Sequence, residues 1–385
     1  MVLGPGVVRR LAPPRPDQAR PQTEKESPHV IDFRYHIVSL ISVFLALAVG
    51  IVLGAGPLRD YIADELTGQV EQLREEKETL RAELDVAQLS LQRRSEFISA
   101  SAPALLGGTL EDRSVAVVEL PGANTDVTDA VMTRLEQAGA TVTARVVVSE
   151  RWVDPAERAF RSGIAQSLVP YLNPAPADDA STETILGQAL GQALTLRDPA
   201  NLDARSAEAE NLYELLVSSE LITEVSAPTG PAYATAVIAP ELIEEITQED
   251  ALTRLAESNA VYTGLAVDLA GAGEASVLAG ADAFDGDLVR AVRADEAAAR
   301  AVTTVDSVGT ITGQVTVPLA VVATTGGGPA SYGFAEGVDA VVPEPVTLTP
   351  PDPAAFAPGP VATSDSADSA DGADGADGAD AGAEG

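Results

Sequence analysis

The sequence predicts a single N-terminal transmembrane helix, then a coiled-coil helix, then an α/β domain with a mostly parallel sheet and a helical insertion. Three observations lead to this fold class. Residues 37–58 carry no charged side chain, residues 59–100 repeat apolar residues in heptads, and strand-like and helix-like segments alternate over residues 110–342. The flanking residues 1–32 and 343–385 lack apolar periodicity, and we expect disordered tails there.

The apolar run predicts a membrane span over residues 35–58. A helix rises about 1.5 Å per residue, so about 20 apolar residues cross a hydrocarbon core of about 30 Å. Two alternatives stay open, a buried helix of a globular core and a cleaved signal peptide. We favour an uncleaved signal anchor, because the run is long for a signal peptide and Pro57 disfavours cleavage after the small residues 54–56.

The basic residues beside the span predict its orientation in the membrane. On its C-terminal side the nearest are Arg59 and Arg74, whereas the N-terminal side is richer in them. These N-terminal basic residues are Arg9, Arg10, Arg15, Arg20, Lys25 and Arg34. Basic residues stay on the cytoplasmic side of a membrane, so we expect residues 1–32 in the cytoplasm and the C-terminal domain outside it.

The span also contains a pattern that favours self-association within the membrane. Ala46, Gly50 and Gly54 recur at intervals of four residues and therefore share one face of a helix. Small residues at this spacing allow two helix backbones to approach closely, although Gly and Ala are also common in membrane helices generally.

Residues 59–100 predict a coiled coil and hence a homo-oligomer. Most positions of its heptad seam are apolar, and Lys77 is the charged exception that favours one register. The seam consists of Leu66, Val70, Leu73, Lys77, Leu80, Leu84, Ala87, Leu91 and Ile98. The alternative is a single amphipathic helix packed on the protein's own globular domain.

The α/β domain is predicted from its alternating elements. Strands are expected over residues 114–120, 141–148, 233–239, 260–267 and 275–279, and helices over 127–138, 155–172, 183–194, 204–216, 241–257 and 294–301. Thr125 or Asp126 is expected to cap the first of these helices. The apolar residues 313–323 contain Pro318, which suits an edge strand or the first turn of a helix.

Composition excludes several classes of function. The net charge of −34 argues against binding nucleic acid. There is no Cys, and the two His residues, His29 and His36, precede or begin the span. The outer part therefore lacks the residues for Ser-His-Asp catalysis, for thiolate catalysis and for His-ligated zinc. We predict no catalytic residue, no metal ligand and no cofactor, with carboxylate-pair chemistry left formally open.

Two groups of residues resemble a known actinobacterial family. One is the stretch over residues 31–56, with Arg34-Tyr35-His36, residues 43–48 and the glycines 50–54; the other joins Thr304-Val305-Asp306, Gly313 and Tyr332-Gly333. Together they resemble the mycobacterial copper-transport family of the MctB type. This resemblance implies a role in copper export or copper tolerance and a place in the cell envelope.

The residues themselves give little to bind copper. Cu(I) favours Cys and Met and Cu(II) favours His, and the chain offers only Met1 and Met132 beside its two His residues. We therefore expect a role in copper efflux or homeostasis without a high-affinity copper site in this chain. The alternative is a self-associating scaffold that recruits cell-envelope or division machinery, and an enzyme or small-ligand module in the α/β domain is a third hypothesis.

Overall fold

Two long helices precede the sheet in the computed structural model, which describes residues 33–55 and 57–356. Helix α1 spans Phe33–Ala55 and helix α2 spans Pro57–Leu106. Pro57 is the first residue of α2, a position where its missing N–H removes no helical hydrogen bond. The chain divides between Ala87 and Gln88 into two units, so α2 runs from one unit into the other.

Helix α1 has the length and composition of a membrane span. Within the described residues it is the one helix that meets this criterion, with a mean hydropathy of 2.8 over Phe33–Gly54. Its side chains are exposed on every face, as expected for a helix whose solvent is lipid. The predicted single N-terminal apolar helix is therefore confirmed.

The domain that follows alternates strands and helices. Its described strands are β1 Ser114–Glu119, β2 Thr141–Val148, β3 Arg197–Asp198, β4 Asn201–Arg205, β5 Ile222–Ser226, β6 Ala234–Ile238, β7 Ala275–Ala279, β8 Thr303–Val305 and β9 Ser331–Tyr332. Its described helices are α3 Thr125–Gln137, α4 Arg158–Leu168, α5 Thr182–Thr195, α6 Ala207–Ser218, α7 Glu249–Ala270, α8 Leu288–Ala294, α9 Glu296–Ala299 and α10 Ile311–Gly327.

Seven strands form one mostly parallel sheet, as the sequence predicts. The order is β5-β2-β1-β6-β7-β8-β9, and all neighbours are parallel except β5, which runs antiparallel to β2. Central β1 pairs Val117 with Arg145 of β2 and with Ala236 of β6. The order reverses between β1 and β6, because the chain moves outward from this pair in both directions. Strands β3 and β4 form a separate hairpin.

Alternate residues of the strands bury two apolar layers, one on each face of the sheet. One layer joins the end of α2 with α3 and α10, and Leu106, Val131 and Val317 lie in it. The other contains the helical insertion α4–α6 together with α7 and α8. Trp152 lies fully buried in this second layer, and its indole N–H donates a hydrogen bond of 2.6 Å to the Leu221 carbonyl. Burial of this large ring makes Trp152 a packing anchor of the layer.

The strand predicted over residues 260–267 is wrong, because these residues lie inside α7. Tyr262, Leu265, Ala266 and Leu269 are the buried residues, and their spacing of three and four follows a helix rather than a strand. The β-branched residues within 260–267 favour a strand locally. Packing of the buried face of α7 against the sheet and α5 makes the segment helical instead.

Three further predictions in this domain are wrong in their boundaries. The helix predicted over 241–257 begins only at Glu249, because residues 240–248 form a loop. The helix predicted over 294–301 is broken at Asp295, whose carboxylate caps α9. The cap of α3 is Asn124 rather than Thr125 or Asp126, and its side chain accepts a hydrogen bond from the Asp126 N–H.

Pro318 lies in the interior of α10 rather than in a strand or a first helical turn. The helix tolerates it because this residue is surrounded by the sheet-facing layer of Val315, Val317 and Val321, whose burial stabilises the helical conformation. The hairpin β3–β4 and the antiparallel edge strand β5 are not predicted from sequence. Most of their residues are polar, so these segments lack the apolar alternation of a strand.

The described chain continues beyond residue 342, where the sequence predicts the start of the acidic tail. Leu348 packs against the layer that contains α10, and the Thr349 carbonyl accepts a hydrogen bond of 2.9 Å from Arg113. A short 3-10 turn, Pro353–Phe356, ends the described part. The predicted N-terminal tail, residues 1–32, and the remainder of the predicted C-terminal tail lie outside the described residues.

Candidate functional site

Four strands end along one edge of the sheet, and the residues that follow them form the candidate site. Strands β6, β7, β8 and β9 are parallel neighbours, so their carboxyl ends meet at the same edge. The loops that begin there contain Glu241, Asp282, Asp306 and Gly333. Ligands of open α/β sheets bind outside this edge, which makes it the first place to look for function.

Asp306 is the buried centre of the site. It directly follows β8 and is only 2% exposed. Its carboxylate accepts hydrogen bonds from the backbone N–H groups of Phe334 at 2.8 Å and Ala335 at 3.1 Å, and from the Ser307 hydroxyl at 2.8 Å. It also forms an ion pair of 2.9 Å with Arg293. Asp306 therefore ties the loop after β9 to the end of β8.

These contacts keep Asp306 ionised despite its burial. Burial by itself raises the pKa of this carboxyl group, because it removes water from the charged form. The hydrogen bonds from Phe334, Arg293 and the remaining donors outweigh burial and lower the pKa below its ordinary value. The carboxylate is consequently a fixed negative charge at neutral pH.

Arg293 of α8 joins three strand ends through its guanidinium group. It donates to the Thr304 hydroxyl at 2.9 Å, to Asp282 at 2.7 Å and to the Tyr332 carbonyl at 2.9 Å, besides its bond to Asp306. The planar guanidinium has five N–H donors, so one side chain can hold several acceptors at fixed angles. Arg293 thus links the ends of β7, β8 and β9.

A second arginine extends this network toward solvent. Arg290 lies one helical turn before Arg293 and donates to Asp282 at 2.7 Å and to Asp285 at 2.9 Å. The Asp282 carboxylate is therefore shared between two guanidinium groups, one on each oxygen. Such shared pairs fix the orientation of both arginines.

Asp287 holds the neighbouring loops in the same way. It lies fully buried before the first residue of α8 and accepts hydrogen bonds from the N–H groups of Leu242 at 3.2 Å, Ala283 at 2.9 Å and Phe284 at 2.9 Å. A carboxylate at this position also interacts favourably with the helix dipole. The loops after β6 and β7 are thereby fixed to the start of α8.

Two glycines of the site leave no room for a side chain. Gly333 has φ of +134°, and a Cβ atom there would overlap the carboxylate of Asp306. A Cβ atom at Gly313, in the first turn of α10, would overlap the Ser307 carbonyl. The glycines are therefore required by close packing around Asp306.

Two adjoining clefts open beside this network. The larger, which we call the β9 cleft, has a volume of about 880 Å³ and lies over the ends of β8 and β9 next to α8 and α9. The smaller, the α10 cleft, has a volume of about 490 Å³ and lies at the start of α10. Asp282 and Ala335 line both clefts. The site lies beside the β9 edge of the sheet, away from the β1–β6 pair where the strand order reverses.

The described acidic residues of these clefts are not grouped as metal ligands. Among residues 33–55 and 57–356, no group of three His, Cys, Asp or Glu side chains is arranged to hold one. The acidic residues at the sheet edge instead face arginines and backbone N–H groups. The arrangement is suited to fixing loops and to contacting polar or charged groups of a ligand.

Comparison with known proteins places this chain in a family. Residues 30–343 match the family described as "Copper transport outer membrane protein, MctB". The chain belongs to the MctB family. Relatives named "Copper transporter MctB" include those of Mycobacterium tuberculosis and Mycobacterium bovis, each 28% identical over 325 residues, and that of Mycobacterium leprae, 29% identical over 335 residues. In each case the match covers 81% of this chain and 99% of the relative.

The MctB resemblance inferred from sequence is thus confirmed, and its C-terminal motif has a structural explanation. Tyr332 and Gly333 come well after Asp306 and Gly313 in the chain, yet all four lie at the network at the end of β8. The family description concerns transport rather than an enzymatic reaction.

The structure places the predicted self-association residues on the two N-terminal helices. Ala46, Gly50 and Gly54 are exposed on α1, with no atom outside the helix near the glycines. Most seam residues are exposed on α2, and Ile98 is half-buried against the domain. A coiled coil joins separate chains, so the predicted seam and the predicted membrane contact stay predictions.

Sequence reasoning missed three residues of the network at the sheet edge: Asp282, Asp287 and Arg293. Asp287 carried a signal, because Asp directly before a helical segment is a common cap. No sequence signal identified Arg293, because its hydrogen-bond acceptors come from loops that approach one another only when the sheet is formed. His36 lies in α1, and His29 lies outside the described residues.

Proposed function

We propose that this protein is a membrane-anchored envelope protein that acts in copper efflux or copper homeostasis. Its membership of the MctB family over residues 30–343 carries the proposal, because the match spans both the apolar helix and the sheet domain. The relatives named as copper transporters are covered over almost their whole length. The role therefore concerns the whole chain rather than one module.

A gene deletion tests this role directly. Cells without the gene should accumulate more copper and stop growing at a lower copper concentration, and the intact gene should restore both properties. Zinc tolerance, measured in parallel, should not change. Unaltered copper content and copper tolerance after deletion would contradict the proposal.

We further propose that the N-terminus is cytoplasmic and the sheet domain is extracytoplasmic. The excess of Lys and Arg on the N-terminal side of α1 supports this orientation. The chain has no Cys, so single cysteines can report topology without background. A thiol reagent that cannot cross membranes should label Ala207→Cys in intact cells and Ser27→Cys only after lysis. The reverse pattern would contradict this topology.

We also propose that the chain has no high-affinity copper site of its own. The chain has no Cys, and Met132, which lies on α3, packs partly buried against the apolar layer. Copper would then be handled by a partner, by an oligomer or indirectly. Calorimetric titration of the full-length protein in detergent with Cu(I) and with Cu(II) should show no tight stoichiometric binding. Saturable, stoichiometric copper binding at micromolar protein concentration would contradict this proposal and indicate that the chain binds copper directly.

A second proposal concerns self-association through the seam of α2. Leu73, Leu80 and Leu84 are more than half exposed on the single chain, whereas Ala102 and Leu106 farther along α2 are buried by the domain. Exposed leucines in heptad positions stabilise coiled coils by packing against the same residues of another chain. The exposed leucines support a homo-oligomer. The alternative function of such an oligomer is a scaffold that recruits cell-envelope or division machinery.

Mass measurement of the full-length protein in mild detergent tests the seam. We expect a discrete oligomer for the natural sequence and a monomer for Leu84→Glu, which places a charge in the seam. Val86→Glu is the matched control, since Val86 is equally apolar and exposed but lies outside the seam. A monomeric natural protein, or equal effects of the two variants, would contradict the proposal.

A further inference from the structure

The rim of the two clefts carries the most exposed apolar side chains of the sheet domain. Among the large apolar residues described beyond α2, Ile243 is 98% exposed and Phe334 is 61% exposed. Ile243 follows Leu242, which lines the α10 cleft, and Phe334 lines that cleft itself. Exposed apolar side chains beside a concave surface are typical of protein-binding sites.

The exposure of Phe334 is imposed by the surrounding structure. Its backbone N–H, together with that of Ala335, is fixed by the buried carboxylate of Asp306. The preceding Gly333 has a positive φ that only glycine adopts easily, which directs the chain away from the sheet. Phe334 is therefore held in a rigid loop beside Ala335, which lines both clefts, and a preorganised apolar anchor costs a partner little entropy to bind.

The charges of the clefts are not balanced. Each arginine that lines the β9 cleft already has an acidic partner: Arg290 and Arg293 bind Asp282, and Arg300 binds Glu296. In contrast, Glu336 forms no hydrogen bond or ion pair within the described part of the chain. Glu336 lies on the same wall as Asp339, so this wall is negatively charged.

Two other carboxylates there accept hydrogen bonds only from uncharged groups, although the charge of Arg293 also helps to lower the pKa of Asp339. Asp339 accepts hydrogen bonds from the backbone N–H and hydroxyl of Ser331, both at 2.8 Å, and these bonds lower its pKa so that it stays ionised. Glu241 of the α10 cleft accepts one from the Gly309 N–H at 2.8 Å. The carboxylates of this wall therefore complement a basic ligand.

We propose that the two clefts form a docking site for a basic polypeptide segment of a partner protein. A Lys or Arg side chain of the segment binds beside Glu336 and Asp339, and an adjacent apolar residue packs on Phe334. Two adjoining clefts of about 880 and 490 Å³ suit an extended segment of several residues. This assignment is independent of the copper role, because it rests on the geometry and charge of the sheet edge.

Selection from a random dodecapeptide library displayed on phage tests the proposal, with the full-length protein in lipid nanodiscs as bait. We expect enriched sequences to place Lys or Arg next to a large apolar residue. A synthetic peptide of the enriched sequence should bind saturably and more weakly as salt concentration rises. Empty nanodiscs control for binding to lipid.

Variants of the clefts identify the binding surface. Glu336→Gln and Phe334→Ala should each weaken binding of that peptide about tenfold, as expected for anchors of an interface. Glu210→Gln and Phe160→Ala are matched controls on α6 and α4 and should leave affinity unchanged. Both cleft residues are exposed, so the fluorescence of Trp152 should report an intact fold in all four variants.

Several outcomes would overturn the proposal. They are no enrichment over empty nanodiscs, enriched peptides without basic residues, and affinities equal for the cleft variants and the natural sequence. Enrichment of peptides that match this chain's own sequence would indicate that a second copy of the chain occupies the clefts, and would overturn the proposal of a different partner protein.

Discussion

Buried charges decide the local structure at the sheet edge, and each is fixed by a small number of named contacts. Asp306 and Arg293 form an ion pair, and both form hydrogen bonds to backbone groups at the end of β9. Removing one member of a buried pair leaves the other charged and without compensation. Asp268 of α7 is different, because it is a half-buried carboxylate beside α5 without such support.

Asp306→Asn should destabilise the sheet domain by about 1.5–3 kcal/mol, because Arg293 keeps only Asp282 as a carboxylate partner and the N–H groups of Phe334 and Ala335 lose an ionised acceptor. Urea unfolding of the full-length protein in detergent, followed by the fluorescence of the sole Trp, measures this change. Asp285→Asn is the matched control: its carboxylate is exposed on Arg290, and its loss should cost less than about 1 kcal/mol. Equal losses of unfolding free energy in the two variants would show that the buried ion pair contributes no more to stability than the exposed one.

Asp268→Asn should stabilise the domain at pH 8 by about 1 kcal/mol and change little at pH 4. Burial raises the pKa of Asp268 to about 7, so the folded state holds the proton more tightly than the unfolded state does. Stability contributed by this group therefore falls as pH rises from about 4 to about 7. Urea midpoints at both pH values check the sign, and a variant that is less stable at pH 8 would contradict it.

At the scale of elements, the close contact of α5 with α7 depends on two glycines. A Cβ atom at Gly187 would overlap the Asp268 side chain, and one at Gly191 would lie 2.6 Å from the Cβ atom of Ala272. Helices pack at this distance only where one surface lacks side chains. The helical insertion therefore packs closely on α7, and this packing depends on Gly187 and Gly191.

Gly187→Ala should destabilise the domain by about 1–3 kcal/mol, because the added methyl group enters a filled contact. Adding Asp268→Ala should recover part of this loss, since it removes the overlapping carboxylate and leaves only the Cβ atom at 2.8 Å. Gly264→Ala on α7 is the control: no atom lies within 4 Å of its Cβ position, and Ala favours a helix by about 1 kcal/mol. Additive effects of the first two substitutions would contradict the proposed contact.

At the scale of the whole molecule, an apolar helix and a negatively charged sheet domain lie in one chain, and the MctB family match includes both. The net charge of −34 disfavours close contact of the chain with anionic lipid. Helix α1 has the length and composition of a membrane span, so we predict that it attaches the protein to a membrane and that its removal is separable from folding of the sheet domain.

Phe44→Lys combined with Leu47→Lys should release the protein from membranes. Each charge near the centre of a span costs about 2.5–3.5 kcal/mol on insertion. Alkaline extraction of cell membranes measures the released fraction, and Phe44→Leu with Leu47→Phe is the apolar control. Trp152 fluorescence should be the same in both proteins, because the sheet domain contains its own core. Retention of the double-lysine variant in the membrane would contradict anchoring by α1.

The sequence by itself determined the elements with strong periodic or compositional signals. The apolar run of α1, the strand segments at β1, β2, β6 and β7, and the family motif around Asp306 were all readable from local residues, because each depends on short-range pattern. The absence of Cys and the scarcity of Met and His were equally readable, since composition needs no structure.

Only the tertiary structure decided the rest, because it depends on contacts between distant residues. Residues 260–267 have β-branched side chains, yet packing against α5 and the sheet makes them helical; Pro318 stays in a helix for the same reason. The clefts and the exposed Phe334 exist because Asp306 and Arg293 join loops separated by many residues in the chain. No local pattern encodes such a meeting, since it arises from the order of parallel strands in the folded sheet.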